Sequence, residues 1–413
     1  MIASSQTVRQ PLRVAHVIGS LELGGAERSL CTLIKRLGHV ADMSVVTLIA
    51  GGPLEEDVRQ LGNPLSSLGM QPGRPNPRAV LALAQQLRAL RPDVVVTWMY
   101  HANLIGGLAA KLAGGIPVIW NIRHTLLDAS RHKRLTRWSA QAGGWLSSRV
   151  PAAVVYVAHA AQKHHQANGF VCPRSLVIPN GFDVEQFAPD ASAAAALRGE
   201  LGLAQDCELI GMIGRFHPDK DHKTFLEAAA RIAAARPGVN FVLCGQGVDK
   251  HNTQLRECMR QFGLSHRVHL LGTRSDIERV TAALDLAVNS SLNEAFPRSV
   301  GEAMACGVPC VVTDVGDSAR LVADTGRVVP PGQPRALAGA LLDLLDLGAP
   351  ERRRLGAEAR ARIARHFDLD RLAWRHLAVW QSAVREETTE VPSPKSAWSA
   401  ARFWRPGSRL TTR

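Results

Sequence analysis

The sequence predicts an α/β protein built from two doubly wound, Rossmann-like domains. Three observations carry this. Short apolar runs alternate with helical patterns along most of the chain. The runs are apolar almost throughout, as strands are when helices cover both faces of a parallel sheet. And the alternation breaks once, near residue 180, then starts again.

In the first half, "RVAHVI" (13–18), "MSVVTLI" (43–49), "DVVVTW" (93–98), "PVIW" (117–120) and "AAVVYV" (152–157) read as buried strands. Helical stretches such as "GAERSLCTLIKRL" and "PRAVLALAQQLRAL" lie between them. The segment "IPNGFDVEQFAPD" (178–190) is rich in turn residues and reads as a crossing between domains. Beyond it, "ELIGMIG" (208–214), "NFVLCG" (240–245), "RVHLLG" (267–272), "LDLAVNS" (284–290) and "VPCVVT" (308–313) repeat the grammar. The expected domains are 1–182 and 183–368. A C-terminal helix follows over 369–390, expected to cross back toward the first domain, and then a basic tail, 391–413. In such sheets a ligand lies beyond the carboxyl ends of the strands, here in the cleft between the domains.

The bulk properties agree with a globular chain. Of 413 residues, 46% are hydrophobic and 21% charged, which excludes a disordered polypeptide. No apolar run reaches the ~18 residues of a membrane span. The start, "MIASSQTVRQPLRV", lacks the apolar core of a secretory signal. The seven cysteines include no Cys-x-x-Cys pair, which points to a reducing, cytoplasmic setting with buried thiols. A formal net charge of +13 favours polyanionic partners: phosphorylated substrates, anionic lipid or nucleic acid. No nucleic-acid recognition motif accompanies the charge.

The loop "GSLELGGAERSL" (19–30) follows the first strand where a dinucleotide fingerprint would stand. Its glycines fall at Gly19, Gly24 and Gly25, so Gly-x-Gly-x-x-Gly is absent. Two other segments carry chemistry. In "NSSLNEAFPRSVGEAMACGVPCVVTDVGD" (289–317), a loop with Glu294 precedes a helix entered through Pro297, read as part of its first turn. Glu302 lies about one turn on. The helix N-terminus between the carboxylates is suited to an anion. In "GMIGRFHPDKDHKTFLEAA" (211–229), Arg215 and Lys220 stand at a strand mouth before a helix capped near Asp221, where two cations would neutralise a diphosphate. For each residue the alternative is ordinary surface charge. "DLD" (368–370) has the Asp-x-Asp form of a metal site but lies between helices, and reads as a cap or surface charge.

Taken together, "GRFHPDKDH" and, about 70 residues later, "EAFPRSVGEAM" resemble the retaining GT-B glycosyltransferases of the family 4 type. Glu294 and Glu302 meet that family's Glu-x7-Glu pattern. "GGAER", "NIRHT" (121–125) and "IPNGFD" (178–183) are similar to it in order and spacing, over roughly residues 12–385. The resemblance is closest to a bacterial branch making exopolysaccharide or lipid-linked glycans. It implies a GT-B fold whose second domain binds a nucleotide diphosphate sugar, with UDP expected. It further implies Glu302 on the ribose hydroxyls, Arg215 and Lys220 on the diphosphate, and Glu294 on the transferred sugar. The N–H groups of Arg298 and Ser299 would complete the phosphate cradle, with Arg274 near the base. His124 would reach the donor sugar or reacting centre, and Gly24 and Gly25 would bring the first domain's lip close to the donor. No metal and no further cofactor is implied. A glycosidase using Glu294 and Glu302, and a catalytically silent sugar-nucleotide binder, are the rival classes. The same transfer to a soluble acceptor is a further alternative.

The basic charge concentrates in "RHKRLTRWSAQAGGWLSSR" (131–149), with five Lys/Arg and no acid. Arg131, Lys133, Arg134, Arg137, Trp138 and Trp145 compose a helix suited to an anionic membrane surface, although Gly143 and Gly144 weaken it. A core-packing helix with a basic outer face is the alternative. The tail interleaves Lys395, Arg402, Arg405, Arg409 and Arg413 with Trp398, Phe403 and Trp404. Both features fit a lipid-linked acceptor and a peripheral place on the inner face of the plasma membrane. Nothing in the sequence sets the oligomeric state.

Overall fold

The structure is a computed structural model that describes residues 11–74, 76–125 and 134–385. The expected membrane contacts Arg131 and Lys133, the side chain of Arg134 and the tail 391–413 lie outside the described residues.

The first sheet contains β1 (Leu12–Ile18), β2 (Ala41–Thr47), β3 (Leu65–Ser67), β4 (Val94–Trp98), β5 (Val118–Ile122), β6 (Ala153–Tyr156) and β7 (Ser175–Val177). Between them run α1 (Gly25–Leu37), α2 (Glu55–Gln60), α3 (Arg78–Leu90), α4 (Met99–Leu112), α5 (Arg134–Leu146) and α6 (His159–Ala167). After α7 (Ala191–Glu200), the second sheet contains β8 (Leu209–Ile213), β9 (Asn240–Cys244), β10 (Val268–Leu270), β11 (Leu286–Asn289), β12 (Cys310–Thr313) and β13 (Gly326–Val329). Its helices are α8 (His222–Ala235), α9 (Thr253–Gln261), α10 (Ile277–Ala282), α11 (Arg298–Ala305), α12 (Ser318–Val322) and α13 (Pro334–Asp346). The chain closes with α14 (Gly348–His366) and α15 (Leu369–Val384).

All strand pairs are parallel, in the orders β3-β2-β1-β4-β5-β6-β7 and β10-β9-β8-β11-β12-β13. Each order reverses beside its first strand, between β1 and β4 and between β8 and β11, so a crevice opens at the carboxyl ends there. The three strands that the apolar runs did not announce are short: "LSS" and "SLV" at the sheet edges, and "GRVV", which opens on glycine. Three or four residues carry no periodicity to read.

The central strands are apolar on both faces because helices bury both; Val14, Val17, Val95 and Val96 are all inaccessible to solvent. Caps fix several helix starts. Asp190 accepts from Ser192 and Ala193 N–H, and Asp221 from Thr224 N–H at 3.2 Å. Asp368 caps α15, accepting from Arg371 N–H at 2.9 Å. Asp370, in the same first turn, lies 3.4 Å from Arg36.

Two stretches cross between the domains side by side. Phe182 N–H donates to Phe367 O at 2.9 Å, and Leu369 N–H returns to Phe182 O at 3.1 Å. The returning stretch leads into α15, whose Leu372, Leu377 and Trp380 pack into the core of the first domain with Leu33, Leu37 and Trp98. The end of the chain thus ties the second domain back onto the first.

Candidate active site

The loop after β8 begins at Gly214, and the Lys220 stem lies across that glycine. Pro218–Lys220 form a short 3-10 turn capped by His217 Nδ1, which accepts from Asp219 N–H at 3.2 Å. This turn presents the Lys220 ammonium to the loop after β11, where it donates to Glu294 Oε1. Ser291 Oγ donates to the same oxygen at 3.0 Å. The two loops are also joined by Leu292 N–H to Asp219 O (2.7 Å) and Ser290 Oγ to Lys220 O (2.9 Å). Four contacts therefore fix one cation–carboxylate pair at the switch point of the second sheet.

The first domain holds this loop from the other side. Thr125 Oγ1 donates to Glu294 O at 3.0 Å, and Asn180 Nδ2 to Phe296 O at 3.0 Å. His124, half-buried, is therefore one residue from a direct interdomain contact. Burial above all pushes His165 of α6 down to about 4. Gly24 precedes α1 and Gly25 opens it. The Glu27 side chain folds back over Gly24, so that a methyl there would sit 2.1 Å from Oε2. Burial raises the Glu27 pKa, and Arg215 across the cleft acts in the opposite sense. Arg215 itself is exposed at the mouth.

On α11, Pro297 is corrected by one position. Its ψ of 115° is extended, making it the residue before the helix, and Arg298 takes the first helical place. Arg298 and Glu302, one turn apart, form an ion pair at 3.5 Å. Ser299 lies in the same first turn. Glu302 faces a cavity of about 510 Å³ between α11, the crossing segment and α1, which Thr32, Lys35 and Asp183 also line. Lys220 and Glu294 are not among its walls. The expected site residues therefore fall in neighbouring groups: Lys220 with Glu294, Arg215 opposite Glu27, and Arg298 with Glu302. Arg274 stands apart. Its guanidinium is forked onto Asp276 (2.8 Å) and Glu200 (2.7 Å), so it ties the loop after β10 to α7.

Sequence reasoning passed over Arg123, although "NIRHT" contains it. Its Nη2 donates to Ser29 Oγ (3.1 Å) and to Asn180 Oδ1, and its guanidinium lies 5.6 Å from the Trp98 ring centroid. Burial, aided by Arg298, pushes its pKa down to about 9. The signal was its position in a strand-end motif that precedes the crossing-segment motif containing Asn180.

The glycines of α5 act differently from the expectation that they weaken it. Gly143 and Gly144 form its inner face, where a Cβ would meet Phe170 and the Asn168 carbonyl oxygen at 3.3 Å. The helix packs inward through small residues and turns Trp138 (62% exposed) and Trp145 (71% exposed) to solvent. Arg149 lies over the Trp145 ring at 5.7 Å.

Two sheets that open their carboxyl edges onto one cleft, with a fixed Lys–carboxylate pair at the second, define the GT-B class of α/β protein. The family model "Glycosyltransferase Family 4" matches residues 23–186, and "Glycosyl transferases group 1" matches 207–347. The chain belongs to the GT-B glycosyltransferases of the family 4 type. It is 27% identical to the UDP-Gal:alpha-D-GlcNAc-diphosphoundecaprenol alpha-1,3-galactosyltransferase of Escherichia coli, over 59% of this chain and 64% of that protein. It is 29% identical to the lipopolysaccharide core biosynthesis mannosyltransferase LpsB of Rhizobium meliloti, over 51% of this chain and 62% of that one. The chain thus spans somewhat less than two thirds of each of these relatives. Anabaena HepE, solved in complex with UDP, superimposes with a TM-score of 0.79 at 24% identity, covering 90% of this chain and 100% of that one.

Proposed function

We propose that this protein transfers a sugar from a nucleotide diphosphate sugar, a UDP-sugar by preference, to a lipid-linked or polysaccharide acceptor, with retention and without a metal. The observation that carries this is the Lys220–Glu294 pair, fixed at the switch point and held from both domains. Breaking an anomeric C–O bond leaves charge on the departing nucleoside diphosphate. A preorganised cation stabilises that charge as it develops. Lys220, with Arg215 on the same loop after β8, fills that role. Glu294 receives hydroxyls of the transferred sugar, and Glu302 those of the ribose. His124 approaches the donor sugar from the first domain.

The geometry also counts against hydrolysis by two carboxylates. A glycosidase sets two carboxylates across one bond, whereas Glu302 faces a cavity whose walls do not include Glu294. The names of the E. coli relative and of the HepE complex support uridine, and the E. coli name supports an acceptor on a lipid diphosphate. Trp138, Trp145 and Arg137 of α5, with Arg149 just beyond the helix over the Trp145 ring, suit an anionic bilayer at the inner face of the membrane. No helix among the described residues is long and apolar enough to cross one.

The test is a calorimetric and turnover screen of nucleotide sugars on the purified protein, with product stereochemistry read by NMR. Binding and turnover of a UDP-sugar in EDTA, with the anomeric configuration kept, are expected. Failure of every nucleotide sugar to bind would reject the reading. Activity lost to EDTA and restored by a divalent ion would reject its metal-free part.

A further inference from the structure

Asp317 opens α12 in the second domain but does not cap it. Its carboxylate makes no capping hydrogen bond to its own helix. Instead it reaches into the first domain. Oδ2 accepts from His159 N–H at 2.8 Å and Oδ1 from Ala160 N–H at 2.9 Å. These are the first two N–H groups of α6, whose own N-cap residue is Ala158 and offers no side-chain acceptor. A helix start in one domain is thus capped by a carboxylate of the other. The Asp317 side chain is only 5% exposed, and Arg320 lies 3.8 Å from it.

The same residue supports the loop that carries Glu294. Asp317 N–H donates to Ala295 O at 3.0 Å. Gly316, at φ +58°, lies so near that a Cβ there would be 2.2 Å from Glu294 O. That same carbonyl oxygen accepts the Thr125 hydroxyl of the first domain. One short loop therefore touches both the start of α6 and the backbone of Glu294.

We propose that Asp317 is a positioning residue that couples closure of the cleft to placement of Glu294, by capping α6 of the opposite domain only when the domains are shut. Opening the cleft separates α6 from the loop after β12 and leaves two first-turn N–H groups and a buried carboxylate without each other. Closing restores both bonds and sets the Glu294 backbone between Asp317 and Thr125. The assignment rests on the transferase reading for the role of Glu294. The latch itself is a statement about two domains and holds without it.

The test uses the full chain and three variants. Asp317→Ala removes the acceptor. His159→Pro removes one donor from the other side, at a first-turn position where proline is tolerated, and after an Ala158 already extended (φ −149°, ψ 151°). Asp317→Asn keeps an acceptor oxygen of comparable capping strength. Asp317→Ala and His159→Pro are each expected to enlarge the radius of gyration in small-angle scattering and to speed hydrogen exchange in the first turn of α6. They should lower kcat about tenfold, the scale of a lost cap, while UDP affinity stays within about twofold. Asp317→Asn, which keeps one of the two acceptor oxygens, should restore part of both. Unchanged scattering and exchange in Asp317→Ala and His159→Pro would overturn the proposal, as would an Asn variant as impaired as the Ala one. Should Asp317→Ala fail to fold, His159→Pro reads the same latch. A wild-type protein that turns over no nucleotide sugar would fail the transferase reading alone, because scattering and exchange need no turnover.

Discussion

Lys220 and Glu294 come from loops after two neighbouring strands, β8 and β11, and meet as an ion pair with side chains 22% and 14% exposed. The pair is held in place by contacts between both loops, so the cation is preorganised for the moment of bond breaking. Lys220→Ala should lower the rate of sugar transfer by about 10²-fold or more, as loss of one preorganised charge partner does. It should also release Glu294, leaving Ser291 as its principal partner. Single-turnover kinetics with saturating donor measure this; a rate within a few fold of wild type would remove Lys220 from the mechanism.

Glu302 is a second, separable test. It neighbours Arg298 at 3.5 Å and faces the cavity beside α1 rather than the Lys220 pair. Glu302→Ala should weaken nucleotide binding about tenfold, the scale of lost hydrogen bonds to a charged acceptor. The matching comparison is a 2′,3′-dideoxyribose nucleotide, whose affinity should be the same for both proteins. If the dideoxy ligand loses as much affinity as the normal one, Glu302 acts through Arg298 and not through the ribose.

The two sheets were legible in the sequence because parallel strands buried on both faces leave unbroken apolar runs, as "VVVTW" and "NFVLC" do. Lys220 and Glu294 were legible because each stands in a loop at the end of such a run. Asp317 and Arg123 were not. Asp317 stands directly before α12, and only the docking of two domains shows that it caps another helix. Arg123 looks like an exposed strand-end cation until Ser29, Asn180 and Trp98 are brought around it from three distant segments. Local pattern reports what a residue does within its element. It is silent on partners that arrive by tertiary packing.

Arg123 yields a stability prediction. Arg123→Ala deletes bonds to Ser29 and Asn180 and leaves Asn180 with Phe296 O and the Ser29 hydroxyl, the latter at 3.4 Å. The loss should be about 2 kcal/mol, as for hydrogen bonds to a charged group. Arg123→Lys should not rescue it, since an ammonium cannot lay a planar guanidinium against the Trp98 ring while reaching both partners. Urea midpoints at constant m report both; a lysine variant as stable as wild type would refute the geometric argument.

Buried histidines set an acid limit. His16, His165 and His222 are pushed down to about 3, about 4 and about 4, chiefly by burial. Unfolded, each titrates near 6.5. Their folded values are depressed, so their neutrality stabilises the protein fully above pH ~6.5 and is lost as pH falls toward 4. Each adds a slope on the order of 1.4 kcal/mol per pH unit within that window. Unfolding free energy should therefore decline between pH 6.5 and 5, before carboxylates titrate. A flat profile down to pH 5 would contradict it.

The outer face of α5 gives the last prediction. Its inner face is made of Ser139, Ala140, Gly143 and Gly144, all buried, which brings the helix close to the domain and leaves Trp138 and Trp145 outside. Two indoles, seven residues apart in sequence, lie on one side of a helix, about two turns apart. With Arg137 and Arg149 beside them, they combine apolar anchors with cations, the composition that binds an anionic interface. Changing both tryptophans to alanine should cut co-sedimentation with phosphatidylglycerol vesicles about tenfold, and added salt should weaken wild-type binding. Donor binding should be untouched, because both indoles face solvent and neither lines the cavity at Glu302. If the double variant sediments like wild type, these tryptophans do not anchor the protein to the bilayer.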